Sequence, residues 1–290
     1  MRLTVRDRPV SWPRIRHRAS VETRRVFKKL RRFGEPAGER RMLLILGCQR
    51  SGTTMLSEVL SQDPRSDVFP EKSALSDPQD THGLRLRPLE DVKARLERNT
   101  ADLIVLKPLV ESQNAKAMLD GFPQCRAVWM FRDYRDVVRS NLRMFGEDNG
   151  RRDLSALLND RSDWRGENLS DETLRRVREA VEEPTEADAA ALFWYARNTL
   201  FFQQALEEDP RVLLVPYEIF VQNPKAETDA IRRFAGDQSL ATADRYHVSS
   251  KSVGAGRDVA IAPGVAALCD EMLARLNQAW DTQSARSVVH

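Results

Sequence analysis

Five short apolar runs are spaced along the chain. They are Met42 to Leu46, Ser66 to Phe69, Leu103 to Leu106, Arg126 to Phe131 and Val212 to Val215. Runs of this length, bounded by charge, Gly or Pro, read as strands buried on both faces. Between them the apolar positions change to helical spacing. Met55, Leu56, Val59 and Leu60 follow the first run, and Val137, Val138, Leu142 and Phe145 mark a helix from Tyr134 to Phe145. Short helices are expected over Val92 to Asn99 and from a Ser112 cap to Leu119, and longer ones over Glu186 to Leu206, from Asn223-Pro224 through Phe234, and over Gly264 to Trp280. Residues 146–185 read as a polar insertion, helical between Asp171 and Val181. Strands alternating with helices predict an α/β fold with a P-loop-like, mainly parallel sheet flanked by helices on both faces.

The turn after the first strand changes this from a fold to a site. Gly47-Cys48-Gln49-Arg50-Ser51-Gly52-Thr53-Thr54 has the glycine spacing of a nucleotide-binding P-loop, but Thr53 stands where that motif has its Lys. That Lys normally reaches the terminal phosphates of a nucleoside triphosphate. Arg50 is the loop's cation and sits earlier in the turn. Strand, turn and helix N-terminus together aim backbone N–H groups at an anion. The pattern predicts a phosphate with a cation beside it, not a magnesium triphosphate.

Composition sets the class. The chain has 290 residues, with 41% hydrophobic and 31% charged positions, as for a globular protein with a sizeable core. No apolar run is long enough to span a bilayer, and the basic N-terminus has no apolar core of a secretory signal. A cytoplasmic location is expected, and the preference for Arg over Lys points to a GC-rich bacterial genome. Three widely spaced cysteines and four histidines match neither a disulfide framework nor a metal site. Residues 1–41 carry fourteen Arg or Lys against four Asp or Glu. Residues 1–40 are read as a basic arm or amphipathic helix, with peripheral contact to an anionic membrane through 1–41 as a further option. Nucleic acid is not expected, since no recognition motif follows and the rest of the chain is net acidic. Residues 41–290 are read as one domain.

With QRSGTT, FRDYRDVVRSNLRMF and VLLVPYEIFVQNP in this order, the chain resembles the PAPS-dependent sulfotransferases over residues 42–262. Arg in the first motif is typical of the carbohydrate- and tyrosine-modifying branches. The resemblance implies that Arg50, Ser51, Gly52, Thr53 and Thr54 cradle the 5′-phosphosulfate of 3′-phosphoadenosine-5′-phosphosulfate, and that Arg132 and Ser140 hold its 3′-phosphate. Lys251, Gly254 and Arg257 occupy the place of the family's late phosphate loop, in a form that departs from it. Lys107 matches a Lys facing the transferring group. The family's phenol-modifying members use a His after the third strand, and none stands there. Glu71, directly after the second strand, is the expected base, with His82 and then Glu111 as alternatives.

These readings leave bland options open: Glu71 paired with Lys72, Arg132 with Asp133, Arg135 with Asp136, and Lys107 as a solvated strand-end charge. The expected activity is metal-independent, in-line sulfuryl transfer from PAPS, leaving 3′,5′-ADP (PAP), to a hydroxyl of a carbohydrate or other small aliphatic acceptor. A P-loop kinase and an inactive PAP-binding scaffold are the alternatives.

Overall fold

The structure is a computed structural model and describes residues 41–122, 124–146, 148–237 and 248–288, with side chains to 285. The basic arm expected over 1–40, and with it the membrane contact, lies outside the described residues.

The five expected strands form one sheet. They are β1 (Arg41–Gly47), β2 (Ser66–Phe69), β3 (Leu103–Leu106), β4 (Cys125–Phe131) and β5 (Val212–Pro216), in the order β2-β3-β1-β4-β5. All four neighbouring pairs are parallel. Their near-continuous apolar sequences follow from burial on both faces. Leu44, Leu46, Ala127, Trp129 and Phe131 belong to the larger core, while Leu43, Ile45, Val128 and Met130 belong to the smaller one on the opposite face.

Against the smaller face pack α1 (Thr53–Leu60), α8 (Tyr217–Gln222) and α9 (Pro224–Phe234). The larger face carries α2 (Leu89–Leu96), α3 (Ala115–Gly121), α4 (Tyr134–Phe145), α5 (Asn149–Asn159), α6 (Asp171–Glu179), α7 (Glu186–Gln203) and α10 (Pro263–Val288). Helix α7 starts at a capping box between Thr185 and Asp188, and it is buried almost all round from Asp188 to Phe201. A helix so enclosed is part of the core itself. Within 146–185, α6 is the expected helix and α5 is an additional one. Leu154, Leu157, Leu174 and Val177 from these two helices join the main core.

Two local expectations are corrected. Ser112 caps no helix: it lies in a 3-10 segment, Leu109–Asn114, with Asn114 at the N-cap position of α3. Its hydroxyl instead accepts from the Gly47 N–H at 3.1 Å and donates to the Leu109 carbonyl at 2.8 Å, which pins the end of β1. Arg135 and Asp136 do not form a pair. One helical residue faces Asp270 on α10, with Nη2 2.9 Å from its Oδ1, and the other turns inward to Arg132.

The chain runs from β1 to β2 and β3 on one side of β1, then crosses to β4 on the other. That reversal opens a crevice beyond the carboxyl end of β1, where open α/β sheets bind ligands. The motif residues lie around it.

Candidate anion-binding and transfer site

The loop between β1 and α1 is held in a strained form. Arg50 has φ 69° and Gly52 has φ 91°. Gly52 is at the N-cap of α1 with no side-chain cap, so the first N–H groups of the helix have no side-chain acceptor there. A Cβ on Gly52 would stand 2.4 Å from Cδ2 of Tyr217. Glycine here lets that ring close over the loop. Ser51 is fully buried, and its hydroxyl has no partner. Arg50 reaches across the crevice, and its Nε donates to Ser140 Oγ on α4 at 2.9 Å. The first two motifs are thereby joined directly.

Arg132 ends β4 and is 5% exposed. Its Nη2 donates to the Ser252 carbonyl at 2.5 Å and lies 3.4 Å from Asp136 Oδ2. Its guanidinium stacks on the Tyr217 ring at 4.2 Å from the centroid, while Nε is buried without a partner. A buried cation with an unused donor is a place for an anion. Asp133 does not take Arg132. Its carboxylate accepts the Arg135 N–H at 2.8 Å as the N-cap of α4. Its own N–H goes to Glu218, whose carboxyl is pushed up by burial.

Between these groups lies a cavity of about 630 Å³, within the usual range for small-molecule sites. Arg50, Arg132, Ser140 and Lys251 line it, as the sequence predicts for one site. Arg139, Arg143, Asp136 and Tyr217 line it as well. These four escaped the sequence reading. The signal for three of them was present: Asp136, Arg139 and Arg143 share the helical face of Ser140 through three- and four-residue steps. Tyr217 had no such signal, being one aromatic after a strand. Five cations against one carboxylate make the cavity strongly electropositive.

Gly254 and Arg257 are not among its lining residues. The Gly254 N–H is bound to Asp136 at 2.8 Å, and exposed Arg257 folds its guanidinium back to about 3.2 Å from where a Gly254 Cβ would be.

At the ends of β2 and β3 a second cluster meets the same loop. Buried Lys107 donates to Thr54 Oγ1 at 2.9 Å and pairs with Glu71 Oε1 at 2.7 Å. Lys107 is thus neither solvated nor idle, and Glu71 is held by Lys107 beside the helix N-terminus. The two alternative bases are placed differently. His82 is exposed on the 76–88 loop. Glu111 is buried and accepts both Arg85 Nε at 2.7 Å and the Leu86 N–H at 3.0 Å, so it anchors that loop. Cys48 is 1% exposed and its thiol is pushed up to about 12 by burial, as for an inert core residue.

The arrangement can bind an elongated polyanion along Arg50 and Arg132, and it presents an ammonium–carboxylate pair at the head of α1. Comparison with known proteins bears on the fold and the family. The crystal structure of a sulfotransferase from Alicyclobacillus acidocaldarius matches 84% of this chain and 97% of its own at 17% identity and a TM-score of 0.50. The sulfotransferase domain of the olefin synthase of Synechococcus PCC 7002 matches 82% and 97% at 16% identity and a TM-score of 0.50. At such identities the likeness is one of fold. No curated protein sequence matches at a significant level. The family model described as the sulfotransferase domain matches residues 40–250, well over half of the chain. On that match and this fold, the chain belongs to the sulfotransferase domain family, whose general chemistry is sulfuryl transfer.

Proposed function

We propose that this sulfotransferase uses PAPS as donor and a hydroxyl of a carbohydrate or other small aliphatic molecule as acceptor. The observation that carries the reading is a pair of cationic centres lining one cavity. A phosphate loop without the P-loop Lys sends Arg50 to Ser140, and the same cavity holds Arg132 with a buried, unused Nε. A donor with phosphates at both its 5′ and 3′ positions suits two cationic centres in one cavity better than a triphosphate does.

In this reading the N–H groups of Gly52, Thr53 and Thr54, with the Ser51 and Thr54 hydroxyls, face the 5′-phosphosulfate, and Arg132 and Ser140 face the 3′-phosphate. Sulfuryl transfer forms a bond from sulfur to the acceptor oxygen and breaks the one to the bridging phosphate oxygen. Negative charge grows on that bridging oxygen. Arg50 and Lys107, fixed beforehand, stabilise it without reorganising. Arg50 keeps its proton, so its help is electrostatic. Glu71 takes the acceptor proton as the oxygen attacks. Its ion pair with Lys107, which also donates to Thr54 at the head of α1, supports that role.

Calorimetry with 3′,5′-ADP, 5′-AMP and magnesium ATP tests the donor. Selective binding of 3′,5′-ADP, weakened by Arg132→Ala, is expected. Selective binding of magnesium ATP would replace the reading with phosphoryl transfer. Turnover of PAPS with a panel of sugars and alcohols then tests the acceptor class, and transfer confined to phenols would overturn it.

A further inference from the structure

One buried carboxylate holds the 252–256 loop against the cavity. Asp136 is 3% exposed and stands in the first turn of α4. Its Oδ2 accepts the Gly254 N–H at 2.8 Å, and its Oδ1 accepts the Gly256 N–H at 2.7 Å. The same Oδ2 lies 3.4 Å from Nη2 of Arg132. Three further contacts tie the loop to the cavity wall. The Ser252 carbonyl accepts from Arg132, the Ala255 carbonyl accepts from Arg139 Nη1, and the Ser252 hydroxyl bonds the Tyr217 hydroxyl at 2.9 Å. Gly256 lies flat on the first turn of α4, where a Cβ would come within 2.1 Å of the Arg135 carbonyl oxygen.

The guanidinium of Arg132 is therefore fixed on two sides. Tyr217 holds its face and Asp136, with the Ser252 carbonyl, holds Nη2. Nε is left as its unpartnered, buried donor. A short carboxylate that binds two backbone N–H groups and a cation at once makes their positions interdependent. Its charge also offsets the repulsion among Arg132, Arg139 and Arg143 when the cavity is empty.

We infer that Asp136 is a positioning residue that sets selectivity for the 3′-phosphate of the donor, acting through Arg132 and the 252–256 loop. The inference rests on the donor assignment above. Asn at this position keeps the size of the side chain but turns one acceptor into a donor facing an N–H, and it removes the counter-charge from Arg132. The neutral variant raises the positive charge of the cavity. A carboxylate acting only as a repulsive charge therefore predicts tighter anion binding on its removal, whereas a positioning residue predicts weaker and less selective binding.

The test measures 3′,5′-ADP and 5′-AMP affinity by calorimetry for the full chain and for Asp136→Asn, Arg132→Ala and the double variant. Near-ultraviolet circular dichroism serves as a check that each is folded. For Asp136→Asn a loss of about tenfold or more in 3′,5′-ADP affinity is expected, from hydrogen bonds to charged groups, with little change for 5′-AMP. The double variant should be no worse than Arg132→Ala alone, since residues acting through one another are not additive. Equal losses for both nucleotides, additive losses in the double variant, or tighter binding by Asp136→Asn would overturn the inference. Should Asp136→Asn fail to fold, Tyr217→Phe, which removes only the hydroxyl held by Ser252, replaces it with the same expected outcomes on a smaller scale. If the unmodified chain shows no preference for 3′,5′-ADP, the donor assignment has failed, whatever Asp136 does.

Discussion

Replacing Gly52 by Ala tests whether the anion loop is shaped by close packing as well as by hydrogen bonds. Two effects add. The residue sits at φ 91° and ψ 2°, a left-handed conformation that costs a non-glycine residue about 1–2 kcal/mol. The new methyl would also lie 2.4 Å and 3.0 Å from two carbons of the Tyr217 ring. That ring cannot easily retreat. It is 7% exposed, covered by Arg132 on one face and bonded to Ser252 at its hydroxyl. Overpacking of this kind costs about 1–3 kcal/mol. The expected loss is the sum, about 2–5 kcal/mol, a large part of the ~5–15 kcal/mol typical of a folded domain. Gly83 supplies the control: it also has positive φ, at 61°, but a Cβ there meets nothing within 4 Å, so Ala should cost only the backbone penalty of about 1–2 kcal/mol. Urea unfolding followed by the fluorescence of buried Trp129 and Trp194 gives both numbers, and calorimetry with 3′,5′-ADP reports the site. Gly52→Ala should cost clearly more than Gly83→Ala and should weaken nucleotide binding. Equal costs for the two, or unchanged binding by Gly52→Ala, would refute the packing argument.

The remaining predictions concern other groups. Glu71→Gln should abolish turnover while 3′,5′-ADP still binds; normal turnover would remove Glu71 from the mechanism. Lys107→Met should lower kcat more than donor affinity, read from steady-state kinetics, because its ammonium bonds Thr54 and Glu71 and does not line the cavity of Arg50 and Arg132. Asp209 is held well below the usual carboxylate range, first by its hydrogen bonds to the Arg211 side chain. A depressed folded pKa gives stability that is present above the unfolded value of about 3.9 and is lost as pH falls through the folded one. Asp209→Asn should therefore destabilise the chain at pH 7 and flatten the acid limb of its stability profile, as urea midpoints between pH 7 and pH 2 would show. Arg232 is buried between Asp63 and Asp237. Arg232→Met removes the buried cation that both carboxylates contact and should cost about 3–5 kcal/mol at neutral pH, a loss that shrinks in acid as those carboxylates take up protons.

Much of the architecture was written in the pattern of apolar positions. A strand covered on both faces must be apolar at every position, so the runs from Met42, Leu103 and Val212 announce themselves without tertiary information. The turn between β1 and α1 was equally legible, because a glycine-bearing turn between a strand and a helix is a local arrangement. So were Arg132 at a strand end and Ser140 two turns into the next helix. Helix α5 was less visible. Asn149, Gly150 and Asp153 dilute its helical signal, and its leucines gain their value only from packing on α7.

What the sequence alone determined is thus the strand–helix alternation, the glycine-bearing turn after β1 and the family motifs that lie within single elements. The partnerships across elements were decided by the tertiary structure. Asp136 could have paired with its neighbour Arg135, but helical geometry points successive residues to different faces. One reaches α10 and the other the cavity. Lys107, Thr54 and Glu71 come from three separate elements and meet because the parallel strands β3 and β2 end side by side above α1. Tyr217 covers Gly52 and Arg132 because β5 lies beside β4, whose own neighbour is β1. Such contacts depend on strand order. Strand order is settled by how whole faces pack, not by any local stretch of chain.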